Sequence, residues 1–232
     1  MPFGYPVMLE LAGRRCVVIG ADALREGKVE GLLAGGADDV VLVATGPSAR
    51  LDELEGIEGI TVERRSWRAE DLNGAFLVVA ASRDAGERDA IAREARSRRA
   101  LVNVMDDIPN CDWSAPGIVR RGELVLSIAT GGASPALAKK LRAQLSSSFG
   151  EEWSEVLAVL RSVREHTMPS LPDFATRARR WSNALDLEEA TDLVRAGKSD
   201  ELARRLHERL VGVAPPGDAR HEAPSQNEEG AR

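Results

Sequence analysis

The sequence predicts an α/β fold in which a doubly wound parallel sheet is followed by a helical domain. Two observations predict it. Short, continuous β-branched runs alternate with helix-period segments as far as Val104, and from Ile118 onward that alternation gives way to one short hairpin and then to helices.

The first strand is Cys16-Val17-Val18-Ile19, closed by Gly20, and Leu24 to Leu33 continues with helical spacing. Gly35-Gly36 stops that helix, and Val40 to Ala44 forms a second apolar run of the kind expected when both faces of a sheet are covered. Further strands are expected at Ile60 to Glu63, Phe76 to Ala80 and Leu101 to Val104, with a helix from about Asp84 to Arg98 between the last two. This order is that of a Rossmann-like sheet.

Two short strands flank the turn at Arg121-Gly122, the second running from Glu123 to Ala129. Ser134-Pro135 then offers an N-cap with proline at the first helical position, ahead of an amphipathic helix over Ala136 to Leu145. Trp153, Val156, Leu157 and Leu160 share one helical face, and Leu187, Leu193, Val194, Leu202, Leu206 and Leu210 supply the stripe of later helices. From Gly212 to Arg232 there is almost nothing large and apolar, so a disordered tail is expected over 212–232.

Composition narrows the function. With 43% hydrophobic and 29% charged residues in 232, the chain has the makeup of a globular protein, and no run approaches the ~20 apolar residues of a membrane span. The N-terminal stretch does not read as a secretory signal, which predicts a soluble, cytoplasmic protein without membrane association. A net charge of −6 argues against nucleic-acid binding, and the arginines from Arg93 to Arg99 read as the solvated face of a helix. Cys16 and Cys111 are too far apart in sequence for a metal pair or a disulfide framework and read as free thiols. His166, His207 and His221 lack metal-ligand spacing, so no bound metal is expected. The four tryptophans, Trp67, Trp113, Trp153 and Trp181, read as core or interface anchors.

Three segments carry candidate chemistry. The turn Gly20-Ala21-Asp22-Ala23-Leu24-Arg25 keeps only the first glycine of a dinucleotide fingerprint, and Asp22 brings bulk and negative charge where a diphosphate would lie. A turn of Rossmann type that binds no dinucleotide is an equally open reading of that segment. Asp106 and Asp107 follow the apolar strand Leu101 to Val104, at the edge where open α/β sheets hold ligands. One can act as a general base while the other caps the loop before Pro109, or both can be loop caps. Thr130-Gly131-Gly132-Ala133-Ser134 leads into a helix N-terminus, which suits either an anion or a plain Ser134 cap.

Taken together, Tyr5-Pro6-Val7, Leu9-Glu10-Leu11, Gly13 to Gly20, Leu101 to Asp112 and Thr130 to Ala138 resemble the precorrin-2 dehydrogenase/sirohydrochlorin ferrochelatase family in order and spacing. The resemblance implies an NAD-binding domain over 1–113, a dimerisation and substrate-loop region over 114–143 and a helical domain over 144–211, assembled as an intertwined homodimer. It implies oxidation of precorrin-2 to sirohydrochlorin with NAD as hydride acceptor, and in some members insertion of ferrous iron as a substrate. Asp106 matches the family's essential aspartate, as general base. By position, Gly20, Ala23, Leu24, Thr45, Gly46 and Ser82 would line the cofactor, while Thr130, Gly131, Gly132 and Ser134 would meet the tetrapyrrole's carboxylates. The chain departs from the family where three consecutive glycines commonly follow the first strand, and Gly27 stands where arginine is usual. Asp22 therefore keeps a second reading in view: a noncatalytic tetrapyrrole-binding or regulatory homologue, or an enzyme that only inserts the metal.

Overall fold

The structure is a computed structural model that describes residues 4–20, 27–46 and 49–212. Five strands, β1 (Arg15–Ile19), β2 (Asp39–Val43), β3 (Ile60–Glu63), β4 (Ala75–Ala80) and β5 (Leu101–Val104), form one sheet in the order β3-β2-β1-β4-β5. Every neighbouring pair is parallel. The chain steps outward from β1 to β2 and β3, then returns to place β4 on the other side of β1. That reversal opens a crevice at the carboxyl ends of β1 and β4.

The continuous apolar runs are explained by burial on both sides. On one face Cys16, Val18, Val40, Leu42, Leu77 and Val79 pack with Val29 and Leu32 of α1 (Lys28–Ala34) and with Leu51 and Leu54 of α2 (Ala49–Leu54). Their sequence neighbours Val17, Ile19, Val41, Val43, Val78 and Ala80 face the other way. They meet Ile91, Ala92 and Ala95 of α3 (Ala85–Ser97). Each fully buried valine or leucine contributes about 1.5–3 kcal/mol, so the period of two fixes the register against a one-residue slip. The expected helix at Leu24 to Leu33 is seen from Lys28 on, and its first residues lie outside the described ones.

The described residues group into two units. The sheet unit runs to Pro116 and includes Gly131–Ala133; the other comprises Gly117–Thr130 and the chain from Ser134. In this second unit β6 (Gly117–Arg121) and β7 (Leu124–Ile128) form the antiparallel hairpin, with Gly122 left-handed at its turn (φ 55°). Helix α4 (Pro135–Ser148) begins where expected: the Ser134 hydroxyl accepts from the Leu137 N–H at 3.1 Å.

Helices α5 (Glu152–Thr167), α6 (Phe174–Ala184), α7 (Leu187–Arg195) and α8 (Ser199–Val211) complete the unit. Val156, Val159 and Val163 of α5 pack with Ala190 of α7 and with Leu202, Leu206 and Leu210 of α8. Leu187 departs from the expected stripe. It is the first residue after the Asp186 cap and is 56% exposed, before the helix turns its apolar face inward. The segment expected to be disordered lies outside the described residues from 213 on.

Candidate active site

Three adjacent strands end at one level. The Gly20 N–H donates to the Val43 carbonyl (2.9 Å), the Ala81 N–H to Ile19 (2.9 Å) and the Met105 N–H to Ala80 (2.8 Å). The register pairs Ile19 with Ala80 and Ala80 with Val104. Gly20, Ala81 and Met105 therefore sit side by side, and the first and last of them are about 10 Å apart from strand spacing alone.

Gly20 is required here by geometry. Its φ is 96°, and a Cβ would overlap the carbonyl oxygen of Ala81. Thr45 and Gly46 follow the end of β2 and are exposed, and Gly46 (φ 83°) has open space where a Cβ would stand. A side chain is thus absent from the two turns where backbone can approach a ligand closely. The residues fit a dinucleotide held through main-chain atoms. Ala23 and Leu24, the other two expected cofactor residues, and Asp22 lie outside the described residues.

Ser82 lies just past the end of β4, but its hydroxyl serves the start of α3. It hydrogen-bonds the Glu87 carboxylate and accepts from the Asp84 N–H at 3.1 Å. Asp84 in turn caps the helix by accepting from the Glu87 N–H at 2.7 Å. The Ser82 side chain is therefore oriented by the helix start, and the Ser82 carbonyl accepts from Arg88 at 3.2 Å.

The two aspartates after β5 divide sharply. Val104 to Asp107 is a tight turn closed by the Asp107 N–H on the Val104 carbonyl (3.2 Å), with Asp106 left-handed at its third position (φ 58°). The Asp106 side chain is exposed and makes no hydrogen bond or ion pair among the described residues. Asp107 is its opposite. It accepts from Arg88 Nε at 2.8 Å and from the Asn110 amide at 3.1 Å, and the guanidinium holds its carboxyl below the usual carboxylate range. One carboxylate is thus fixed in the loop, and the other is left exposed.

The loop behind them is tied by residues that give little sequence signal. Cys111 Sγ donates to the Val104 carbonyl at 3.0 Å and accepts from the Val104 N–H at 3.2 Å, and burial pushes its thiol pKa up. The Asn103 amide reaches the Trp113 carbonyl at 2.8 Å, and Asp112 accepts from Arg96 at 2.9 Å. Cys111 is accordingly a structural thiol. Only the polar residues Asn103 and Asp112, framing an otherwise apolar strand and loop, hinted at this network.

Within the second unit, the Thr130 hydroxyl donates to the Ser134 carbonyl at 3.4 Å, and the Ser134 hydroxyl is used as the helix cap. Gly131 (φ 60°) and Gly132 (φ 79°) are exposed, and they group with the sheet unit. An apolar groove of about 820 Å³ also lies in the second unit, lined by Leu157, Leu160, Met168, Phe174 and Trp181 with Arg164 and Arg177; none of the expected site residues lines it. Among the described residues no cluster of His, Cys, Asp and Glu is arranged to hold a metal ion, and no helix is long and apolar enough to cross a membrane.

A family model for NAD(P)-binding domains matches residues 7–117, which contain the sheet, Gly20 and Asp106. The chain is 32% identical over 212 residues to the siroheme synthase of Ectopseudomonas mendocina, covering 90% of this chain and 45% of that protein. It is 32% identical over 208 residues to siroheme synthase 1 of Pectobacterium atrosepticum, covering 89% of this chain and 42% of that one. The chain thus spans less than half the length of these relatives. Among solved structures it is similar to SirC, a precorrin-2 dehydrogenase, with a TM-score of 0.68 and 28% identity over 88% of this chain and all of that one.

Proposed function

We propose that the chain belongs to the precorrin-2 dehydrogenase/sirohydrochlorin ferrochelatase family and that it oxidises precorrin-2 to sirohydrochlorin with NAD in siroheme biosynthesis; the relatives and the solved structure it matches support this reading. The observation that carries this reading is Asp106. It is an exposed carboxylate, unpaired among the described residues, two strands from Gly20, at the edge where a dinucleotide lies in such sheets.

NAD, when bound, supplies the hydride acceptor. Gly20, Ala23, Leu24, Thr45, Gly46 and Ser82 are the residues assigned to hold it, chiefly through backbone. No carboxylate or arginine directly follows β2 at Ala44-Thr45-Gly46, so the assignment of NAD rather than NADP rests on the family.

Asp106 takes the proton that the macrocycle gives up as its carbon–hydrogen bond releases hydride, so one proton and one hydride leave together. Its exposure leaves it open to the substrate, and the ion pair at Asp107 keeps the neighbouring carboxylate from competing for the same position. Thr130, Gly131, Gly132 and Ser134 are assigned to the substrate's carboxylates, through main-chain N–H groups of the loop that leads into α4. Ferrochelatase activity belongs to the same proposal: Asp106 would accept pyrrole protons as ferrous iron, a substrate, enters.

The protein also pairs with a second copy in this reading. Helix α4 has no buried residue, and Leu137, Leu141 and Ile118 are 47%, 36% and 41% exposed, an apolar face that self-association would cover.

Titration of the purified protein with NAD and with NADP, read by calorimetry, tests the cofactor assignment. Saturable binding with NAD preferred is expected. Absence of binding at millimolar concentration, with tetrapyrrole binding retained, would reject the dehydrogenase in favour of a protein that binds tetrapyrroles without redox chemistry.

A further inference from the structure

The loops after β4 and β5 are tied together by one side chain, that of Arg88. Arg88 does not belong to either loop. It projects from the first turns of α3, and its side chain is only 25% exposed. Its Nε donates to Asp107 at 2.8 Å, while Nη1 donates to the carbonyls of Ser82 and Arg83, each at 3.2 Å. One rigid guanidinium fork therefore grips both loops at once, which a point charge on a flexible stem cannot reproduce. The next residue of the helix adds a second strap, since Asp89 accepts from the Asn110 amide at 2.7 Å and the same amide reaches Asp107.

The strap matters because of where Asp106 sits. A non-glycine residue at φ 58° occupies a strained backbone position that persists only when its surroundings over-determine it. Within the turn itself the only closing hydrogen bond is a long one, from the Asp107 N–H to the Val104 carbonyl at 3.2 Å. The turn's outgoing end is held by the side chain of Asp107 on Arg88 and Asn110, and by its carbonyl, which accepts from the Asn110 N–H at 3.0 Å and from Cys111 Sγ at 3.3 Å; of these only the Arg88 contact reaches the loop after β4.

We propose that Arg88 is a positioning residue that couples the cofactor loop after β4 to the left-handed turn that presents Asp106, so that cofactor binding and proton removal share one clamp. This rests on Asp106 being the base and on a dinucleotide at the β1–β4 crevice. Arg88 touches neither reactant and acts through Asp107 on one side and the Ser82–Arg83 backbone on the other.

The clamp makes a prediction that a general loss of stability would not. Arg88→Gln removes both grips; Asp107→Asn loosens only the grip on the Asp106 turn. We expect R88Q to weaken cofactor binding severalfold and to lower kcat about tenfold, the scale of one partly buried charge-assisted contact. D107N should lower kcat by a similar factor with cofactor affinity within about twofold of wild type. R88K, which keeps the charge but not the fork, should recover one of the two losses and not both.

The measurements are the cofactor dissociation constant by calorimetry, kcat for precorrin-2 oxidation under anaerobic conditions, and the thermal midpoint of each variant. If D107N weakens cofactor binding as much as R88Q does, the two loops are not separately gripped and the proposal fails. It fails equally if any variant loses thermal stability while kcat and cofactor affinity hold. A wild-type protein with no cofactor binding or turnover would instead overturn the reading on which the clamp rests.

Discussion

Asp106 and Asp107 follow each other in the chain, yet one is exposed and unpaired among the described residues while the other is held by Arg88 and Asn110. The strand before them made the location legible, because an apolar run ending in carboxylates at a sheet edge is a ligand-site pattern. Their division of labour was not legible, since the partner that decides it lies 19 residues away on a helix. The same holds for Cys111, whose role depends on a strand backbone seven residues upstream. Gly20 could be read from the sequence, as a turn glycine, but the reason it must be glycine is the Ala81 carbonyl on the neighbouring strand. At this scale the account predicts that Asp106→Ala lowers kcat by about 10²- to 10⁴-fold, the range for a lost general base. The side chain makes no hydrogen bond or ion pair among the described residues, so the thermal midpoint and cofactor affinity should stay near wild type. Steady-state kinetics with parallel calorimetry checks this, and retained turnover would remove Asp106 from the mechanism.

Elements with two buried faces or a clear cap were the readable ones. Strands β3 and β5 were expected at Ile60–Glu63 and Leu101–Val104 and are found there, and α3 begins after its Asp84 cap within a residue of the expected start. Helix α2, only six residues long, carries too few apolar positions to show a period and was missed. The helical unit has its own electrostatic seam. Glu189 at the start of α7 accepts from Arg205 (2.8 Å) and Arg209 (2.5 Å) on α8, which holds its carboxyl down at about 2 against an ordinary 4.5. A carboxylate whose folded pKa is depressed adds stability above its unfolded pKa and loses it as pH falls through the folded one. Glu189→Gln should therefore cost about 1 kcal/mol at neutral pH after solvent screening. The difference from wild type should shrink below about pH 4.5 and vanish near pH 2. Urea denaturation of both proteins across that window measures it, and a difference that persists at pH 2 would assign the effect to packing instead.

For the whole molecule, the alternation of strands and helices sufficed to give a doubly wound sheet, because a parallel sheet needs crossovers and the chain has apolar helices to supply them. The order β3-β2-β1-β4-β5 places its switch point between β1 and β4, with Gly20 and the turn of Asp106 along one edge. That arrangement, together with the relatives it matches, is what the proposed chemistry stands on. The most direct test is anaerobic incubation of the protein with precorrin-2 and NAD, following NADH and the macrocycle's absorption together. The account predicts sirohydrochlorin appearing with one NADH per macrocycle, and only when NAD is present. An unchanged macrocycle and no NADH, from folded protein with intact precorrin-2, would contradict it.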